Sequence, residues 1–287
     1  MIGPFVGVLF DGFAYGTLLF LLSVGLSVTL GMMNFINLAH CSFAMLGGYV
    51  AVTLVDRLGW PFFATLPVAF LFAAAVSVAL ERALFRRLYR ASDLDQCLLT
   101  IGVVFMSVAA AAYIYGTVQQ PLQLPSYLTG SVTFMGINFA MYRLFLVAAA
   151  LVITVILVAA LEWTRFGAEV RAAVDNQRMA RGLGINVVGV FAVTFSLGSG
   201  LAGLGGALAI GMVGLDPSFA FAYLVYVLIV VSVGGLGSIG GSFAAAALLG
   251  ISDVAGKYYV PQLGAFVIYL VMVGLLMWRP VGLFGRR

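Results

Sequence analysis

His40 is the only histidine in the chain, and Asn37 and Asn34 precede it at three-residue intervals. On a helix, residues three apart share a face, so this spacing would gather two amides and an imidazole. One histidine without clustered carboxylates does not make a metal site. Hydrogen bonding is the chemistry that remains, and it has two readings. The group ties the ends of two neighbouring helices together, or it lines the mouth of a polar pathway. In so apolar a chain both are reasonable, because uncompensated polar groups in a membrane face a cavity or a partner.

Other patterns point away from catalysis. Gly235 to Gly240, GLGSIG, fits the glycine spacing of a dinucleotide loop. That loop needs a preceding strand and an acid about 20 residues on; here the flanks are apolar helical runs and Asp253 comes too soon. A glycine-rich break between two short spans is the better reading. The only lysine, Lys257, follows Gly256, but Tyr258 stands where a phosphate-binding loop needs Ser or Thr. If ATP drives this protein, another chain hydrolyses it. No Ser/His/Asp set, paired aspartates or HExxH is present, so no enzyme activity and no cofactor is expected. Asp11, Asp216 and Asp253 sit near span ends, which argues against a proton- or sodium-coupled carrier.

The longest strongly polar run is Phe166 to Val188, FGAEVRAAVDNQRMARGLGINVV. Glu169, Arg171, Asp175, Asn176, Gln177, Arg178 and Arg181 fall within a few helical turns. Val170, Ala173, Val174 and Met179 provide an apolar side. A polar helical segment bracketed by apolar spans is a candidate for docking a soluble partner.

The elements that must position these groups are membrane helices. The chain has 287 residues, is 63% hydrophobic and 8% charged, with a mean hydropathy of +1.16. Soluble domains carry about 25% charged residues. Apolar runs of the ~20 residues needed to cross a bilayer recur throughout, so the fold class is an all-α polytopic membrane protein, a single domain over residues 1–287. About nine spans are expected: 9–31, up to 55 after the polar break 33–40, 62–80, 97–115, 144–161, 190–213, 221–233, 242–255 and 263–278. Spans seven and eight are short, and the count falls to eight or seven if they are broken or re-entrant. The connection 116–141 reads as an exposed loop, with SVTFMGINF as a short hairpin. Cys41 and Cys97 read as free thiols. No signal peptide is visible, since the first Lys or Arg is Arg57.

Charge placement sets the expected orientation. With the N-terminus outside, the turn at 81–95, the loop at 162–188 and the C-terminal tail are all cytoplasmic. They hold Arg82, Arg86, Arg87, Arg90, Arg165, Arg171, Arg178, Arg181, Arg279, Arg286 and Arg287, against Arg57, Arg143 and Lys257 elsewhere. That asymmetry follows the positive-inside rule. Gly203, Ala207 and Gly211, four apart, would let helix backbones approach closely. A weak internal echo joins Gly31–Met45 to Gly211–Tyr223: both begin GM and contain SFA. With one inside and one outside, it would fit an inverted repeat.

Three pieces, MNFINLAHCSFAMLGGYVA, FGAEVRAAVDNQRMARGLGINV and the pair GGLGSIGG and RPVGLFGR, occur in an order that resembles the permease subunits of branched-chain amino-acid ABC importers. The resemblance covers nearly the whole chain and is nearer to the shorter permease of such systems. It implies an ABC importer permease fold, multi-pass in the bacterial inner membrane. The partners it implies are a second homologous permease, two cytoplasmic ATPases and an extracytoplasmic binding protein. It also implies that residues 167–186 form a coupling helix, in which Glu169, Arg171, Asp175, Asn176, Arg178 and Arg181 face or fix the ATPase contact and Gly182 and Gly184 end the helix. Cys41 stands where the family has Gly after its His, and Leu38 where Phe is common, so the substrate is open. Urea, short amides and aromatic acids are assigned to relatives. The alternative is a stand-alone channel or facilitator for a small neutral solute such as urea or an amide.

Overall fold

A computed structural model describes residues 2–33, 35–89, 91–134 and 137–285. It is almost wholly helical: α1 (Ile2–Met33), α2 (His40–Val52), α3 (Phe62–Ala83), α4 (Asp93–Tyr115), α5 (Met141–Trp163), α6 (Arg165–Asp175), α7 (Gln177–Gly182), α8 (Val187–Val213), α9 (Phe219–Gly234), α10 (Ile239–Tyr259) and α11 (Gly264–Trp278). The expected hairpin is present as β1 (Ser131–Phe134) paired antiparallel with β2 (Ile137–Ala140). Among the described residues six helices, α1, α3, α4, α5, α8 and α10, are long and apolar enough to cross a membrane; α9 and α11 are shorter apolar helices. The short elements therefore differ from expectation: α10 has 21 residues, whereas α2 has only 13 and continues as a π-turn over Thr53–Arg57.

Neighbouring helices alternate in direction between the end where α1 begins (upper) and the end where it finishes (lower). Asp11 pairs with Arg143 of α5 and Gln120 pairs with Leu215 at the upper end. Gly31 meets Gly237 at the lower end. Arg82, Arg86, Arg87, Arg165, Arg171, Arg178, Arg181 and Arg279 all lie in or beside lower-end turns, while Arg57, Arg143 and Lys257 lie at the upper end. Side-chain caps concentrate at the lower end too: Ser92, Thr164, Asn176, Asn186 and Ser238 each accept a hydrogen bond from the first turn of α4, α6, α7, α8 and α10. Each satisfies one of the amide donors that a helix start leaves open.

The centre is held by backbone proximity. Lipid offers no hydrophobic drive for helix association, so small residues that permit close packing take that role. A side chain on Gly25 would overlap the Gly198 carbonyl, and one on Gly206 the Ala44 carbonyl. The packing pairs cross: α1 lies along α10 and α8 along α3, while α2 lies along α8 and α9 along α1. Exchanging α1, α2, α3 with α8, α9, α10 maps these pairs onto one another. The two SFA segments open α2 and α9, whose preceding breaks lie at opposite ends. This is the arrangement of an inverted repeat.

α2 begins deep in the bundle. The His40 Nε2–H donates to the Leu22 carbonyl at 3.0 Å, 11 residues before α1 ends, or about 16 Å at 1.5 Å per residue. The link before it is irregular, yet Phe35, Asn37 and Ala39 are buried. Non-helical backbone at membrane depth is tolerated only when protein covers it. Gln96 helps to satisfy it, its Oε1 accepting from the Ile36 amide at 3.0 Å.

Candidate functional site

The polar run folds as two helices rather than one. Thr164 caps α6 through the Gly167 amide at 3.2 Å. Asn176 interrupts the expected single helix. Its backbone leaves the helical region, at φ −152° and ψ 96°, and its Oδ1 accepts from the Met179 amide at 3.0 Å to start α7. Asparagine bonds to nearby backbone as readily outside a helix as within one, which is why the break falls there. α7 closes on a Schellman turn, with the Ile185 amide on the Ala180 carbonyl and the Gly184 amide on the Arg181 carbonyl, both at 3.0 Å. Gly184 sits at φ +85°, a conformation glycine takes without steric cost. Gly184 thus ends the segment as expected, whereas Gly182 is simply the last helical residue.

The apolar side divides in two. Val170 and Ala173 are buried, and with Ala180 they pack on Val187, Val190 and Phe191 at the start of α8 and on Met33 at the end of α1. They anchor the segment and offer nothing to a partner, which corrects their expected docking role. Val174 is 43% exposed, Met179 67% and Leu183 80%. Glu169, Asp175, Asn176, Arg178 and Arg181 are also exposed. Arg171 is exposed as well, and its guanidinium donates to the Leu161 carbonyl. Gly167 has no room for a side chain against the same carbonyl. α6 is therefore strapped to α5, and α7 projects from a rigid base.

A cleft of about 870 Å³ opens beside α6, lined by Val170, Arg171, Val174 and Asp175, the 236–240 turn and Phe284. The tail closes one side by pairing with the end of α9: the Leu283 amide donates to the Val233 carbonyl at 2.7 Å and the Phe284 amide to the Gly234 carbonyl at 3.2 Å. The GLGSIG stretch is the turn between α9 and α10, with Gly235 and Gly237 at positive φ and no strand before it. Neither fits dinucleotide binding.

The second candidate group surrounds His40. Asn34 lies outside the described residues. Asn37 and His40 do not share a helix face, because Asn37 belongs to the irregular link and His40 is the first residue of α2. Both are buried all the same. The His40 bond to Leu22 ties α2 to α1, the structural reading, but His40 Nδ1 and both amide atoms of Asn37 are buried without a partner. Ser199 of α8 is 1% exposed and its Oγ is also unpartnered. Sequence reasoning missed it, although a serine within the apolar run 190–213 was a visible signal. It also missed Leu183. Cys41 and Cys97 are free thiols. Among the described residues no group of three His, Cys, Asp or Glu could hold a metal. Asp253 lies deeper than a span end, 1% exposed and paired with Lys257 at 2.5 Å.

These features define a multi-pass helical membrane protein with a short helix that begins inside the bundle and a polar projection mounted on the ends of α1 and α8. The chain belongs to the family described as "Branched-chain amino acid transport system / permease component", whose profile matches residues 8–276. It is 27% identical to the high-affinity branched-chain amino acid transport system permease protein LivH of Escherichia coli K12, over 98% of this chain and 96% of that protein. It is 24% identical to the corresponding permease BraD of Pseudomonas aeruginosa, over 97% and 95%. LivM of E. coli K12 is 25% identical, over 92% of this chain and 67% of that protein. No solved structure matches the chain. Permease components of this family are transporter subunits, and a stand-alone channel is not favoured.

Proposed function

We propose that this chain is one of two membrane subunits of an ABC importer for branched-chain or related amino acids. Its upper end faces outward to receive solute from a binding protein, and its lower end faces the cytoplasm of a bacterial inner-membrane cell. On this reading the chain crosses nine times, with α2, α9 and α11 as the short crossings. Two cytoplasmic ATPases supply the energy, a second homologous permease completes the core, and this chain carries no cofactor. The lower-end arginine bias supports the orientation, and the likeness to both LivH and LivM supports a paired permease.

The observation that carries the reading is the projection of α7. Met179 and Leu183 stand exposed beside Arg178 and Arg181, on a base fixed to the ends of α1 and α8. An apolar knob flanked by cations suits a groove in a soluble partner with an acidic rim. Force on α7 would reach α1 and α8, and these two helices flank the start of α2, where Asn37 and His40 lie. ATP-driven closure of the ATPases would thereby reach the pathway through rigid helices. Replacing Arg178 and Arg181 together by Glu should abolish binding-protein-stimulated ATP hydrolysis while leaving membrane insertion intact. Wild-type coupling in that double variant would exclude α7 as the contact.

A further inference from the structure

α5 carries a stripe of residues that leads from the lipid into the cleft beside α6. Of the six helices long and apolar enough to cross a membrane, it has the smallest share of buried residues. Leu151, Val155, Val158 and Glu162 follow one another at steps of four, three and four, so they share one helix face. Leu151 and Val155 are 48% and 67% exposed, whereas Val158 and Glu162 line the cleft of about 870 Å³. Next to Glu162, Trp163 is 82% exposed, as an aromatic at the bilayer surface would be. The apolar face of α5 thus passes from hydrocarbon depth into a cleft at headgroup level.

The walls of that cleft carry charges of both signs. Glu162 comes from α5, and Arg171 and Asp175 come from α6. All three are exposed, and among the described residues none has an ion-pair partner. Arg171 and Asp175 stand four apart on one helix and still do not pair. Arg171 uses one donor on the Leu161 carbonyl and keeps the rest of its fork. Ile239 and Gly240, at the start of α10, also line the cleft. Ser238 accepts from the Gly241 and Ser242 amides, while those of Ile239 and Gly240 meet no acceptor among the described residues. Such open first-turn amides favour negative charge. The volume lies in the range of small-molecule sites, roughly 300–1,000 Å³.

We propose that this cleft binds a phospholipid with a primary ammonium in its headgroup, of the phosphatidylethanolamine type, with an acyl chain lying along Val158, Val155 and Leu151. The phosphate meets Arg171 and the open amides of α10. The ammonium meets Glu162 and Asp175. A headgroup with negative charge alone leaves both carboxylates without a cation, and a choline headgroup gives them no N–H donor. A soluble peptide matches the charges but not the apolar stripe, which runs out of the cleft into the bilayer. The bound lipid joins α5, α6 and α10 and so braces the base on which α7 is mounted. Occupancy requires only that the lower end lie at a bilayer surface, whether or not an ATPase meets α7.

The test uses the membrane complex purified with its partner subunits, stripped of lipid in detergent and placed in phosphatidylcholine nanodiscs, with phosphatidylethanolamine or phosphatidylglycerol added. Native mass spectrometry reads the retained lipid, and a thermal melt reads the stabilisation that a ligand of the folded state confers. Phosphatidylethanolamine should be retained and should raise the melting midpoint above that in phosphatidylcholine alone; phosphatidylglycerol should do neither. Glu162→Gln should weaken retention about tenfold, the scale of losing a hydrogen bond between charged groups. Val158→Trp, which fills the mouth of the cleft, should weaken it at least as much. Asp93→Asn removes an exposed lower-end carboxylate outside the cleft and should leave retention unchanged. Equal midpoints in the three lipids overturn the proposal. So do wild-type retention in both Glu162→Gln and Val158→Trp, an equal loss in Asp93→Asn, or phosphatidylglycerol held as tightly as phosphatidylethanolamine.

Discussion

Leu183 provides the most direct test of the proposed contact between α7 and an ATPase. The side chain is 80% exposed at the end of α7, so within the protomer it touches little. Exposed substitutions away from special features change stability by only about 0.5 kcal/mol. Fully burying a leucine is worth roughly 1.5–3 kcal/mol. If Leu183 enters an ATPase groove, Leu183→Ala should forfeit much of that, and at ~1.4 kcal/mol per tenfold docking should weaken about tenfold or more. Leu183→Asp should weaken it further, because a carboxylate would enter the contact unpaired. The assay is the affinity of the purified ATPase for the permease pair in nanodiscs, measured beside the thermal stability of that pair. The reasoning predicts lost affinity with unchanged stability. Wild-type affinity in Leu183→Asp would refute it, and a large stability loss would show that Leu183 is buried against the other permease instead.

Two further experiments test the scaffold. Gly206→Val should prevent accumulation of the folded permease, because the new side chain overlaps the Ala44 carbonyl and no rotamer relieves a backbone clash; a loss at or above the usual ~1–3 kcal/mol of overpacking is expected, read as the yield of folded protein in membranes. Lys257→Met leaves the Asp253 carboxylate, 2% exposed in its side chain, without its cation; because Lys257 itself is 53% exposed and partly screened by solvent, the loss should be roughly 1–3 kcal/mol, and adding Asp253→Asn should recover most of it in a thermal melt.

Some features were legible because they follow from local rules. The membrane class follows from composition and run length alone, as bilayer thickness dictates helix length. The helix end at Gly184, the hairpin near 131–140 and the free thiols could be read from a few residues each. The internal SFA echo was also visible, although only packing shows that α1 to α3 and α8 to α10 exchange contacts.

Other features needed the tertiary structure. Asn176 was one polar residue among many until its side chain was seen to cap α7, because a cap and a helical position have the same composition. Val170 and Met179 are equally apolar on paper. One is buried and the other exposed because α6 turns Val170 onto α8, while α7, past the break, turns Ala180 onto it and leaves Met179 facing outward. Asn37 and His40 were noticed for their spacing, but the helix face inferred from it does not exist. Both are buried because the link before α2 folds into the bundle, and another buried, unpartnered group, Ser199, comes from a helix more than 150 residues away in sequence. Hydropathy and charge bias act through each residue's own preference for lipid or water, so the sequence by itself determined that the chain crosses a membrane and which turns carry its arginines. Which polar groups are left unpaired at mid-bundle depends on every helix that packs there, and only the tertiary structure decided that.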